Sequence, residues 1–265
     1  MSGKVPGHIR WRGVAAIAAL LAAGVLGACG GHGPYTSAST TPKPSHASGS
    51  PGGGAHALTP AQARAYVRAV NLTAADLPGF TLAREPRQPT TETEKQLEHE
   101  LLACIGAGVS GGSGHPVAQG SSGDFRRRGS AYDVGVSSEV SVSSGTGSGA
   151  ADLRRLRSGR ARACLGHFLS ELLKGKHYTG ASVAHVSIVQ GSPPAPGTTG
   201  GYGWRVTATL DVRGIKLPYY MDILGFLYGP TQVSLLSTGL PVPLPAGIQE
   251  RLFALLLTRA TAFSH

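Results

Sequence analysis

The spacing of apolar residues changes several times along this chain, and each change predicts an element. Thr59-Pro60-Ala61-Gln62 places an N-cap, a proline at the first helical position and a capping-box glutamine in order, predicting a helix to about Asn71. Leu72 to Phe80 predicts one helical turn stopped by Pro78-Gly79, then a short extended piece before Arg87. A second capping box, Thr91-Glu92-Thr93-Glu94, opens a helix to about Gly106 with Leu97, Leu101, Cys104 and Ile105 on one face, so Cys104 is expected on the core side. Gly108 to Gly123 is rich in Gly and Ser and reads as a loop, as does the stretch holding Arg126, Arg127 and Arg128.

Strict alternation then takes over. Tyr132, Val134, Val136, Val140 and Val142 alternate with Asp133, Gly135, Ser137, Glu139 and Ser141, the pattern of a half-buried strand. Ala151 to about Lys174 returns to the helical period, with Leu153, Leu156, Ala161, Cys164, Phe168 and Leu172 in one stripe. The last third predicts a meander: Val183 to Val189, Trp204 to Val212, a turn at Arg213-Gly214, Leu217 to Leu227, a turn at Gly229-Pro230, and Val233 to Leu236. Leu217 to Leu227 is apolar at both parities, as expected of a strand covered on both faces. A closing helix carries Ile248, Leu252, Leu255, Leu256 and Phe263. The fold class is therefore α+β: an antiparallel sheet of about five strands, with the meander at its C-terminal end, packed with helices.

The N-terminal quarter follows different rules. Lys4, Arg10 and Arg12 precede an apolar run from Val14 that ends in Leu26-Gly27-Ala28-Cys29. A basic leader, an apolar core too short to span a bilayer and a small-residue exit predict a secretory signal. Leu-Gly-Ala-Cys resembles a bacterial lipobox, which implies that residues 1–28 are removed and that Cys29 is lipidated. Two or more acyl chains hold a protein stably on a membrane, each buried methylene contributing about 0.8 kcal/mol. An uncleaved anchor, or an ordinary secreted chain with a free cysteine, is the plainer alternative. Residues 29–57 contain hardly a large apolar side chain and read as a tether. Residues 58–265 are left as one domain, long enough for a proper core.

The net charge of +10 falls to +7 once the three leader cations are removed. Outside the cell a cationic surface meets anionic lipid or phosphate-rich wall polymer, or a protein, and nucleic acid is not the expected partner. A compositional bias toward Arg, Ala and Gly explains the charge equally well. With Cys29 assigned to lipid, Cys104 and Cys164 are expected to pair in an oxidising compartment.

The order of lipobox, low-complexity tether, Leu-Thr-x-x-Asp-Leu-Pro-Gly (Leu72 to Gly79), a Cys in each of two helices, three strands and a closing helix resembles sensor-type lipoproteins of actinobacteria. These resemble in turn the extracellular sensor domains of mycobacterial receptor kinases and PsbP-like α+β sandwiches. The kinase sensors carry two disulfides, whereas this chain has cysteines for one. The resemblance implies a ligand- or protein-binding module without catalytic residues.

Motifs for chemistry are weak. Gly108-Val109-Ser110-Gly111-Gly112 matches a nucleophile elbow, but a predicted helix precedes it where a strand is needed. Gly145 to Ala150 matches G-x-G-x-x-A, yet no parallel βαβ series and no acid about twenty residues on accompany it, so no nucleotide or other cofactor is expected. The histidines show no metal-ligand spacing. Asp211 and Asp222 fall on neighbouring predicted strands, where a carboxylate pair for acid–base work competes with pairing to Arg205 or Arg213. The arginines remain: Arg126, Arg127 and Arg128 in the predicted loop, and Arg157 and Arg160 close to the apolar stripe of the long helix, where guanidinium groups would bind phosphate or carboxylate bidentately. Arg155 and Arg162 are expected on the outer face. Solvated side chains with a few surface ion pairs are the plainer account. Taken together, the sequence suggests a non-enzymatic binding domain, with a lipid carrier as the alternative and a hydrolase as a distant third.

Overall fold

In the computed structural model, which describes residues 58–83, 91–106, 116–143, 149–175, 181–212 and 214–263, Thr59 caps the first helix, α1 (Pro60–Val70). Its hydroxyl accepts from the Gln62 amide while Gln62 Oε1 accepts from the Thr59 amide, the reciprocal box read from the sequence. A 3-10 turn at Ala74–Asp76 follows, closed by Gly79 at φ 78°. Strand β1 (Thr81–Leu82) leads toward α2 (Glu92–Ile105), which Thr91 and Glu94 cap in the same reciprocal way and which Gly106 ends in the left-handed conformation. Then come β2 (Ala118–Ser121), β3 (Phe125–Arg128), β4 (Asp133–Val142), α3 (Gly149–Leu156), α4 (Gly159–Gly175), β5 (Ala181–Gly191), β6 (Gly200–Val212), β7 (Ile215–Tyr228), β8 (Thr231–Leu240) and α5 (Ala246–Ala262).

The eight strands form one antiparallel sheet in the order β1-β3-β4-β8-β7-β6-β5, with β2 also paired to β4. Five strands were expected, and the additional ones are β1, β2 and β3. β3 pairs with the first half of β4 and β2 with its second half, so the two make one interrupted strand. At the interruption Ser122 donates its amide to Ser138 O, and its hydroxyl accepts from the Ser138 amide, which keeps the broken ladder satisfied. Two expectations are corrected here. Part of the Gly/Ser-rich stretch is strand β2, and Arg126 to Arg128 lie in β3 and not in a loop.

Each face of the sheet carries its own core. On one face α2, α3 and α4 supply Leu101, Ile105, Leu153, Leu156, Leu165, Phe168 and Leu169 against Trp204, Val206, Met221 and Ile223. On the other, α1 and α5 supply Tyr66, Val67, Val70, Leu252, Phe253 and Leu256 against Val134, Val140, Phe226 and Val233. β7 contributes to both, as its apolar residues at both parities required. Cys104 and Cys164 form the expected disulfide, with Cα atoms 5.8 Å apart, and it joins α2 to α4. Cys164 is buried, but Cys104 sits at the exposed rim and not on the core side.

The long helix expected from Ala151 onward is two helices. Ser158 divides them: its hydroxyl donates to Arg155 O and accepts from the Ala161 amide, so it terminates α3 and caps α4. Among the described residues no helix is long and apolar enough to cross a membrane. The lipobox at Cys29, the tether, Gly108 to Gly112, Gly145 to Ser148 and Arg213 all lie outside the described residues.

Candidate functional site

The break at Ser158 borders a groove on the surface of the described residues. The groove, of about 590 Å³, runs between the α3–α4 junction and the terminal strand β5, lined by Arg157, Arg162 and the backbone stretch Ile188 to Ser192. Arg157 anchors it: its Nε donates to Gly201 O at 2.8 Å and its Nη2 donates to the same carbonyl. That approach needs Gly200, at φ 142°, because a Cβ there would stand 2.6 Å from Leu153 Cδ2 and 3.1 Å from Arg157 Nη2. Gln190 ties the strand side in place, its Nε2 donating to Leu156 O at 3.4 Å. Arg162 is exposed, and among the described residues no acidic residue lines the groove.

The sequence-predicted arginines separate on this framework. Arg157, expected close to the apolar stripe, lines the groove and is exposed. Arg160 is exposed and takes no part in the lining, whereas Arg162, placed on the outer face by helical spacing, does. Arg155 is half-buried and pairs with Asp152 at 3.2 Å. Arg126 and Arg128 both face Asp133, at 3.7 and 3.0 Å, and Arg127 is exposed. Four strands separate β3 from β5, roughly 24 Å at ordinary strand spacing. The triplet and the groove arginines therefore do not share one surface.

Asp211 and Asp222 do not form a carboxylate pair. Asp222 is held by Arg205 through two contacts of 2.6 and 2.9 Å and accepts from Gln249 Nε2 at 3.1 Å, while Asp211 accepts the Gly214 amide at 2.7 Å. Asp222 raises the Arg205 pKa through hydrogen bonding, against the opposing effect of burial, and its charge adds to the rise. Among the described residues no group of three or more His, Cys, Asp or Glu could hold a metal ion.

Sequence reasoning missed a second feature. Ser137, Glu139 and Ser141, expected to face solvent, are all buried, Glu139 at 3% exposure and Ser141 at 0%. They continue across the sheet into Gln232 and Ser234 of β8 and Tyr202 of β6. The Tyr202 hydroxyl accepts from Gln232 Nε2 at 2.7 Å and shares a 2.8 Å hydrogen bond with Ser234 Oγ. Burial pushes the Tyr202 pKa up to about 12, opposed by the hydrogen bonds from Ser234 and Gln232 and assisted by the charge of Glu139, so the phenol stays protonated. Gln119 Nε2 donates to Glu139 Oε1. The hydroxyl of Ser141 and Oε1 of Gln232 have no hydrogen-bond partner among the described residues. The signal in the sequence was that polar β4 positions would pair with Gln232 and Ser234, which only the strand order reveals. Asp152, on α3, is also perturbed: burial raises its pKa to about 6 against the nearby charge of Arg155. No nucleophile in the described geometry is paired with it.

Neither the protein-family models nor the curated proteins give a match to this chain, so the site is interpreted from its own geometry.

Proposed function

We propose that this chain is a lipid-anchored extracytoplasmic protein, tethered through Cys29, whose domain is a non-enzymatic, sensor-like or scaffold module binding an anionic envelope component or protein. The observation that carries the binding half is the groove at Arg157 and Arg162, where two guanidinium groups border a strand edge and, among the described residues, no carboxylate lies in the lining. Guanidinium forks suit phosphate and carboxylate, and because both arginines are exposed their contribution should weaken as salt rises. A lipid carrier needs space between sheet and helices, and there the described residues pack Trp204, Tyr202, Leu165 and Leu169, each 2% exposed or less. That packing favours the binding module over the carrier.

Two experiments test the two halves. Cys29→Ala should move the protein out of the membrane fraction, and a variant that stays bound with its leader uncut would refute the anchor. Retention on anionic-lipid vesicles and on a glycerol-phosphate wall polymer, measured across a salt series, should fall for Arg162→Ala and persist for Arg127→Ala on the distant strand. Equal retention of both variants and the wild type would refute the groove as the binding face.

A further inference from the structure

We propose that the groove receives an extended acidic segment of a partner protein, which adds to the sheet as a strand beside β5; this rests on the reading of the groove as an anion-binding face and names its partner class. β5 is the last strand in the order, and among the described residues it pairs only with β6, so its other edge offers backbone amides and carbonyls to a partner. Edge strands ordinarily discourage such pairing with lysine, proline, bulges or inward charge. Over its eleven residues β5 has no Lys, Arg, Asp, Glu or Pro, and its one irregularity is a register shift between Val183 and His185. From Val186 to Gly191 the register is continuous, and Val189 is 65% exposed. The edge that borders the groove is thus the regular, uncharged half of the strand.

The side chains around that edge set the pattern of the incoming segment. Ile188 packs toward the core on the helix side, so its face of the sheet is the one overhung by Arg157 and Arg162. Val189 is on the opposite face, where its register partner is Arg205. A strand laid beside Val186 to Gly191 therefore presents alternate residues to the guanidiniums and to Val189. Carboxylates suit the first set and β-branched apolar residues the second. Charge also selects against self-pairing, because two copies of the chain, each carrying +7 once the three leader cations are removed, repel one another.

The probe is a capped, fluorescein-labelled peptide, Glu-Val-Glu-Val-Glu-Val-Glu, titrated with the protein at neutral pH and followed by anisotropy. Two derivatives are N-methylated, one at every Val and one at every Glu. Only one set of alternate amides faces the edge in an added strand, so one derivative should lose binding and the other keep it. Arg162→Glu, at an exposed position, should weaken the parent peptide by about tenfold or more, the scale of one charge-assisted contact. Retention of both methylated derivatives would overturn strand addition. Loss of both, with the parent peptide still bound, would overturn it as well, since an added strand uses one set of amides. Failure of the parent peptide where glycerol-phosphate polymer still binds would overturn this inference and leave the anionic groove standing, whereas failure of both ligands would overturn the two together. A dimer in sedimentation that Val189→Lys abolishes would assign the edge to a second copy of the chain and overturn the acidic partner.

Discussion

Severing the Cys104–Cys164 bond should detach α2 while leaving the sheet largely folded, and the structure supplies the magnitudes. The bond spans 60 residues, which in the chain-entropy model corresponds to about 4 kcal/mol. Without it, α2 is docked chiefly by Leu101 and Ile105, the two buried residues of its fourteen. Burying two such side chains contributes roughly 3–6 kcal/mol. Two buried side chains are a small docking face for a helix of marginal length, so the covalent bond decides whether α2 stays docked. Trp204, Val206, Met221 and Ile223 remain covered by α3 and α4 in either case. The assay is native-state hydrogen exchange before and after reduction and thiol blocking, with Cys104→Ala as a second route to the same state. Amides of α2 should exchange about a thousandfold faster, the equivalent of about 4 kcal/mol, while those of β7 change little. If α2 amides stay as protected as those of β7 after reduction, or if both accelerate together, the reasoning is wrong.

Two carboxyls predict opposite pH behaviour. Asp152 has its pKa raised to about 6 by burial, so the native state binds more protons than the unfolded chain between about pH 4 and 6 and stability rises as pH falls through that window; Asp152→Asn should flatten the slope and add about 1–2 kcal/mol at neutral pH in urea melts. Burial would raise Asp76, but hydrogen bonds from Arg259, at 2.7 and 2.9 Å, and from the Thr73 amide and hydroxyl, with the Arg259 charge, hold it below its ordinary value. Its contribution is complete above about pH 4 and lost as pH falls below its depressed pKa, so Arg259→Ala should cost about 2–3 kcal/mol at neutral pH and less in acid, and an equal cost at both would refute the pairing. Gly225→Ala should destabilise by about 1–3 kcal/mol, because the new Cβ would stand 2.3 Å from Tyr202 Cζ and that ring is held by Ser234 and Gln232; Gly159→Ala, with nothing within 4 Å, is the control that should leave the urea midpoint nearly unchanged.

Local signals carried the elements well. Both capping boxes formed between the residues named, Thr59 with Gln62 and Thr91 with Glu94, because a cap is a contract between neighbours three positions apart. The strands from Trp204 to Leu236 were legible through alternation and through the two-sided apolar run of β7. The burial of Ser137, Glu139 and Ser141 was not, since alternation distinguishes the two faces of a strand but does not say whether the polar one meets water. That depends on what lies across the sheet, here Gln232, Ser234 and the Tyr202 ring, which are 61 or more residues away in sequence. β2 and β3 were missed for a related reason. Ala118 to Ser121 and Phe125 to Arg128 show no alternating apolar pattern and hold their conformation by pairing to β4.

The arginines show how one local error propagates to a site. On a continuous helix, residues three apart are about 60° apart around the axis and residues five apart about 140°, so Arg157 and Arg160 are neighbours and Arg162 is turned away. Ser158 breaks that phase. Its hydroxyl accepts the Ala161 amide in the place of a helical carbonyl, and α4 starts with a rotation that α3 does not dictate. Arg162 then reaches the groove that Arg157 helps to close, and Arg160 takes the solvent side. The cue was present in the sequence as Ser158-Gly159, a capping residue followed by the poorest helix former short of proline, but the unbroken stripe from Leu153 to Leu172 masked it. Both helices can keep that stripe on the core because each needs only its own apolar residues to face the sheet, whereas the polar residues between them have no such constraint. The break therefore leaves the core intact and reassigns only the charged surface, which is where the proposed partner is recognised.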